Sequence, residues 1–154
     1  AAGLEARERR AVAIMLAEKD GMALIGRQKM WPAGFYSCLA GFCEPGETIE
    51  QAAAREIFEE AGITVDPATA QYVACQPWPF PSSLMVGLIL EASTNEIHVD
   101  EKELETARWV SREEMVSILD GTHGEIFGPP PMASDLIWVW AVILAGVVVT
   151  IWLL

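Results

Sequence analysis

Six glutamates stand within 17 residues of this 154-residue chain: Glu44, Glu47, Glu50, Glu56, Glu59 and Glu60. The last three are spaced i, i+3 and i+4, which on a helix places their carboxylates on one face, a turn apart. Like charges so close repel by on the order of a few tenths of a kcal/mol per pair. Hard divalent cations such as Mg²⁺ or Mn²⁺ prefer carboxylate oxygens and would offset that repulsion. A solvated acidic helix face is the alternative, and the triplet alone does not choose between them. The chemistry a cation site would serve is phosphate chemistry, because bound cations invert the local charge of an acidic protein.

The element that must carry these carboxylates is a helix with clear ends. Thr48 and Gln51 form a capping box, and Gly62 is a left-handed stop. Ile49, Ala53 and Ile57 recur every fourth residue, so that stripe faces the core and the glutamates project away from it. Arg55 adjoins Glu56 but is expected to point elsewhere and pair with Glu47 in the preceding loop. Gly41 and Gly46 bracket a turn holding Pro45, whose permissive backbone would let a carbonyl near Gly41 face the metals. Around this helix, Ala11–Leu16, Met22–Gly26, Tyr72–Cys75, Leu84–Ala92 and Ala107–Val110 read as strands, the first two joined by a turn at Lys19-Asp20-Gly21. Ser111 and Glu114 form a second capping box, for a helix running to about Asp120. Strands on both sides of one central helix imply an α/β domain with a mixed sheet.

Gly41, five residues, Glu47, seven residues, then Arg55-Glu56-Ile57-Phe58-Glu59-Glu60-Ala61-Gly62-Ile63 resembles the Nudix box at all nine specified positions. The resemblance implies the Nudix fold, a mixed sheet in an α/β/α sandwich, and hydrolysis of a diphosphate linked to another moiety. It covers roughly Ala11 to Pro131. In the family's terms, Gly41, Glu47, Arg55 and Gly62 are structural. Glu56 and Glu60 ligate divalent cations with the backbone carbonyl of Ala40, and Glu59 ligates a further cation or orients and deprotonates the attacking water.

Gln76-Pro77-Trp78-Pro79-Phe80-Pro81-Ser82-Ser83 follows 13 residues beyond Ile63. Proline at alternate positions removes donors and holds the chain extended. Trp78 and Phe80 are then either presented to stack on a flat ring or packed into the core. Placed after a Nudix box, the array resembles the signature of the NADH pyrophosphatase branch, with Cys75 where a serine is usual. This implies NADH or NAD⁺ as substrate, nicotinamide mononucleotide and AMP as products, NAD-capped RNA as a further substrate, and a homodimer. In that branch the acidic loop after the sheet strands supplies another metal ligand, and Glu103 in Asp100-Glu101-Lys102-Glu103-Leu104 matches the position. Phe42, next to Gly41, is expected to stack on a substrate ring with Trp78. Hydrolysis of ADP-ribose or other dinucleotides, and a non-catalytic nucleotide sensor, are the competing readings. The intact Glu56, Glu59 and Glu60 argue against a sensor.

Composition limits the partners. Ten basic against 22 acidic side chains give a net charge of −12, which repels nucleic acid in general, while 52% hydrophobic residues exclude an acidic disordered chain. Cys38, Cys43 and Cys75 form no Cys-x-x-Cys pair, so no zinc site is expected, and the four-cysteine ribbon that precedes the domain in the family has no counterpart here. The family's substrate-contacting Tyr ahead of the first strand is also missing from Glu5–Arg10. An odd, widely spaced cysteine count suits a reducing, cytoplasmic compartment. The chain starts without Met and shows no signal peptide, as a fragment or a processed product would. Residues 1–133 are expected to form the Nudix domain. Residues 134–154 are expected to form an apolar C-terminal helix. Within it, Leu136–Leu154 is uncharged, long enough for a membrane anchor, and equally readable as a buried helix or a terminus foreign to the fold.

Overall fold

A computed structural model describes residues 10–78, 82–127 and 146–154. The chain runs β1 (Arg10–Lys19), β2 (Met22–Arg27), β3 (Phe35–Tyr36), β4 (Leu39–Phe42), α1 (Ile49–Ala61), a short 3₁₀ turn (Pro67–Thr69), β5 (Gln71–Trp78), β6 (Ser83–Glu91), β7 (Thr106–Ser111), α2 (Arg112–Leu119) and β8 (Ile126–Phe127). Residues 146–153 are helical again and are called α3.

The main sheet has the order β5-β6-β1-β2-β7, with β4 also paired to β1. It is mixed: β1 and β6 are parallel, and the remaining pairs are antiparallel. Asp20 (φ 52°) and Gly21 (φ 75°) form the two-residue turn between β1 and β2, where both positions need the left-handed region.

Alternation along β1 sorts the core into two halves. Ala13, Met15 and Ala17 face α1, packing with Ala53, Ile57 and Ala61. Ile14 and Leu16 face the other way, toward Met115 and Ile118 of α2 and Val148, Val149 and Trp152 of α3. The result is the expected α/β/α sandwich.

Two local expectations are corrected. Gly41 does not flank a turn but lies inside β4, and only Gly46 (φ 93°) sits in the turn before α1. A four-residue strand with a central glycine lacks the alternation that would reveal it. At α2 the Ser111 hydroxyl accepts from Glu114 N at 3.1 Å, but the Glu114 carboxylate turns to Arg108 (2.7 Å) rather than closing a capping box. At the C-terminus, Val148, Val149 and Trp152 are buried on the sheet, and the Trp152 indole donates to Glu18 at 2.8 Å. The rest of the uncharged run, Leu136 to Ala145, lies outside the described residues. Among those described, no helix is long and apolar enough to cross a membrane.

Candidate active site

The glutamate helix is held at both ends. Thr48 accepts from Gln51 N while the Gln51 side chain accepts from Thr48 N, so the expected capping box is complete. At the other end Gly62 adopts φ 70°, and a Cβ there would come within 2.8 Å of His98 Cβ. The close approach lets the segment after β6 satisfy the last helix carbonyls: His98 N donates to Ala61 O (2.8 Å) and Asp100 N to Glu60 O (3.0 Å). Asp100 O then accepts from Glu103 N and Leu104 N, and buried Leu104 anchors the turn in the core. A capping interaction thereby delivers the acidic loop, 40 residues downstream, to the side of Glu60.

Gly41 sets the position of Glu56. A Cβ at Gly41 would overlap the Glu56 carboxyl group, so only glycine lets that carboxylate lie against β4. Ala40 is the neighbouring strand residue, opposite Ile14 of β1.

Arg55 is the hub. Its Nε and one terminal nitrogen form a fork on Glu47 (2.7 and 3.0 Å), and it donates to the carbonyl of Phe42 at 2.9 Å. The expected pairing with Glu47 is present. The expectation that Arg55 points away from the other glutamates is corrected, because its remaining nitrogen bonds Glu56 (2.8 Å) and Glu59 (2.9 Å). The planar guanidinium has enough donors to hold three carboxylates and a carbonyl at once. Hydrogen bonds from Arg55 and from the backbone of Glu44 hold the Glu47 carboxyl down at about 2, and Glu47 in turn raises the pKa of Arg55.

Glu60 differs from its neighbours, and a second expectation is corrected here. It does not project away from the core but is buried, 8% exposed. Burial, and then the charges of Glu56, Glu103 and Glu59, push its pKa up to about 8. Every charged group that shifts it is another carboxylate. A buried acid surrounded by three carboxylates has no cationic partner of its own among the described residues. This donor set of hard oxygens fits a divalent cation. Glu56, Glu59, Glu60 and Glu103 are the side chains that would hold such ions.

The aromatic array ends at the same rim of the sheet. Gln76, Pro77 and Trp78 close β5, Ser82 lies in the turn and Ser83 opens β6, while Pro79, Phe80 and Pro81 lie outside the described residues. Across the strands Gln76, Met85, Val12 and Phe42 stand in one row, and Trp78, Ser83 and Arg10 in the next but one. Side chains in alternate rows share a face, so Trp78, Gln76 and Phe42 lie on one face, opposite the one covered by α1. Three strand spacings, about 14 Å, separate β5 from β4. The Phe42 ring, 41% exposed, carries the Arg10 guanidinium 4.0 Å above its centroid. Gln76 Oε1 is buried without a hydrogen-bond partner among the described residues.

One cluster escaped the sequence reading. Glu114, His123 and Glu125 bring ligand atoms within 4.8 Å of one another. Arg108 donates to both carboxylates, so their counter-charge is already supplied by the chain. No spacing signal announces this group, because α2 and the loop to β8 meet at β7 only on folding.

The amino-acid sequence matches the NUDIX domain family over residues 7–127. It is 48% identical over 133 residues to the human NAD-capped RNA hydrolase NUDT12, covering 84% of this chain and 28% of that protein. Identity to human mitochondrial NAD(P)H pyrophosphatase NUDT13 is 44%, covering 70% of this chain and 31% of that protein. Identity to the NAD-capped RNA hydrolase NudC of Stutzerimonas stutzeri is 45%, covering 62% and 34%. The chain thus spans about a third or less of the length of these curated relatives. Among solved structures, a Nudix-family hydrolase from Clostridium perfringens superposes with TM-score 0.62 at 17% identity, covering 90% of this chain and 97% of that one. A NUDIX hydrolase from Nitrosomonas europaea does so at 0.61 and 23%, covering 70% and 60%. At these identities the structures speak for the fold, while the match over most of the sequence speaks for the lineage: the chain belongs to the Nudix family.

Proposed function

We propose that this chain hydrolyses the diphosphate bond of NADH or NAD⁺ with Mg²⁺ or Mn²⁺, giving nicotinamide mononucleotide and AMP, and that NAD-capped RNA is cleaved in the same way. The observation that carries the reading is the placement of Trp78, Gln76 and Phe42 at the sheet rim whose strand β4 also seats Glu56. Names of the relatives, NAD-capped RNA hydrolase and NAD(P)H pyrophosphatase, support this substrate class.

Glu59, the most exposed of the three helix glutamates, is suited to orient water and take its proton. Arg55 fixes the neighbouring carboxylates so that Glu56 does not reorganise as charge develops. The bound ions would supply charge neutralisation of the diphosphate and a lowered pKa for water. Water adds to one phosphorus, the bridging P–O bond breaks, and each phosphorus leaves on its own nucleotide. Trp78 would stack on the flat ring that separates this substrate from a simple diphosphate ester, whereas Phe42, three strands away and covered by Arg10, does not share that ring.

A homodimer and a cytoplasmic location belong to this reading. The three cysteines, all free thiols, support the second. Membrane attachment through Leu136–Leu154 is disfavoured in it, because Val148, Val149 and Trp152 spend their apolar surface on the sheet.

The test is turnover of NADH, NAD⁺ and ADP-ribose with each metal, products being resolved by chromatography. AMP from the nicotinamide dinucleotides ahead of ADP-ribose is expected. ADP-ribose as the preferred substrate would transfer the assignment to it, and no AMP from any of the three removes the enzyme reading. E59Q should lower kcat by about 100-fold or more with the fold intact; near-normal turnover would strip Glu59 of its role.

A further inference from the structure

Gly26 lies near the end of β2, and its φ is outside the left-handed region, so no turn calls for a glycine there. Its backbone is fixed on both sides. Gly26 N donates to Ser37 O and Ser37 N to Gly26 O, both at 3.0 Å, and Gly26 stands opposite Ala107 of β7. The reason for the glycine is space. A Cβ at this position would come within 2.7 Å of Leu39 Cδ2 and 3.1 Å of Leu104 Cδ1. Both leucines are buried in the core half that packs on α1. In a close-packed core few other leucine rotamers fit, so an added methyl there moves the chain that carries them.

What those leucines carry matters. Leu39 precedes Ala40 and Gly41 in β4, the glycine against which Glu56 lies. Leu104 follows Glu103 in the acidic loop. That loop is pinned at both ends: Asp100 N donates to Glu60 O (3.0 Å), and Glu105 N donates to the carbonyl of Arg27 (2.9 Å), the residue after Gly26. Arg27 also binds the Glu105 carboxylate. Between the pins Leu104 is the one buried residue, since Asp100, Glu101, Lys102, Glu103 and Glu105 are all exposed. The depth to which Leu104 sinks over Gly26 therefore sets where Glu103 stands. At the depth observed, Glu103 is near enough for its charge to act on Glu60.

We propose that Gly26 is a positioning residue of the cation site: by carrying no side chain it lets Leu104 pack on β2 beside Leu39, and that packing holds Glu103 where it can share a cation with Glu60. The inference rests on the reading of the four glutamates as cation ligands, and adds to it a residue that touches no ligand atom. Two strand glycines then build the site from opposite sides. Gly41 seats Glu56 directly, and Gly26 seats Glu103 through Leu104.

The experiment measures Mn²⁺ binding to the substrate-free chain, read from the paramagnetic resonance of the free ion, in the unsubstituted protein and in G26A, E103Q and G26A/E103Q. G26A should weaken Mn²⁺ binding about tenfold, as loss of a residue supporting a metal ligand does. E103Q should add nothing further in the G26A background, because both changes remove the same ligand. Unchanged affinity in either single variant overturns the proposal. Losses that multiply in the double variant overturn it too, since the glycine then acts independently of Glu103. Should circular dichroism show G26A unfolded, L104A takes its place, withdrawing the anchor without crowding β2. The same loss, again not compounded by E103Q, is expected, and full affinity overturns the proposal. Failure of the substrate reading looks different. Mn²⁺ bound in the expected pattern without AMP from NADH removes the diphosphatase and leaves Gly26 in its role, whereas an unsubstituted chain that binds no Mn²⁺ removes the cation site and this proposal with it.

Discussion

The Glu56 carboxyl group occupies the space that a side chain at Gly41 would fill, so a strand glycine and a helix glutamate 15 positions apart share one site. G41A should therefore act on catalysis before stability. The added methyl displaces Glu56, and a misplacement of about 1 Å at a reacting centre lowers rate on the order of 100-fold. Turnover of NADH measured beside circular dichroism checks this, and a native spectrum with normal kcat would contradict it.

Arg55 joins the loop before α1, the strand β4 and two glutamates of the helix through five hydrogen bonds. R55Q should cost about 2 kcal/mol in urea unfolding, since it strips a charge-assisted fork from Glu47. R55K should recover little of this loss, because a point charge cannot make the forked contact. Full recovery with lysine would mean that charge alone is at work.

Glu60 makes the metal-free protein sensitive to pH. Its folded pKa, about 8, lies above the ordinary value of 4.5. The folded state therefore binds more protons than the unfolded chain between those values. The stability contributed by the protonated acid is complete below pH 4.5 and is lost as pH rises toward 8. E60Q should flatten this slope and raise the melting midpoint at pH 8 by about 4 °C. Thermal scans of both proteins in chelator, from pH 5 to 8.5, read the difference; parallel curves would refute it.

Trp152 is 4% exposed, packs with the β1 side chains Ile14 and Leu16 in one core, and is bonded to Glu18. W152A should destabilise the chain by about 3 kcal/mol or more. A change under ~1 kcal/mol in urea unfolding would detach α3 from the core.

Much of the glutamate helix was legible because its signals are local. The capping box at Thr48, the core stripe through Ile57 and the stop at Gly62 lie within one stretch of chain, and each depends on neighbours three or four residues away. The carboxylate triplet and the proline-aromatic array are legible for the same reason. Glu103 could be named only through a family resemblance, since nothing near it in sequence says that it approaches Glu60.

What the sequence by itself determined is the kind of groups present and the elements that carry them: a glutamate helix, an aromatic array, a mixed sheet. Tertiary structure decided their environments. Burial of Glu60, the approach of Glu103 to it and the seat of Glu56 on Gly41 all arise between segments that meet only on folding. The physical reason is range. Helix caps and hydrophobic periodicity act over one or two turns, whereas a carboxylate's pKa and partners depend on whatever the folded chain brings within a few ångströms of it.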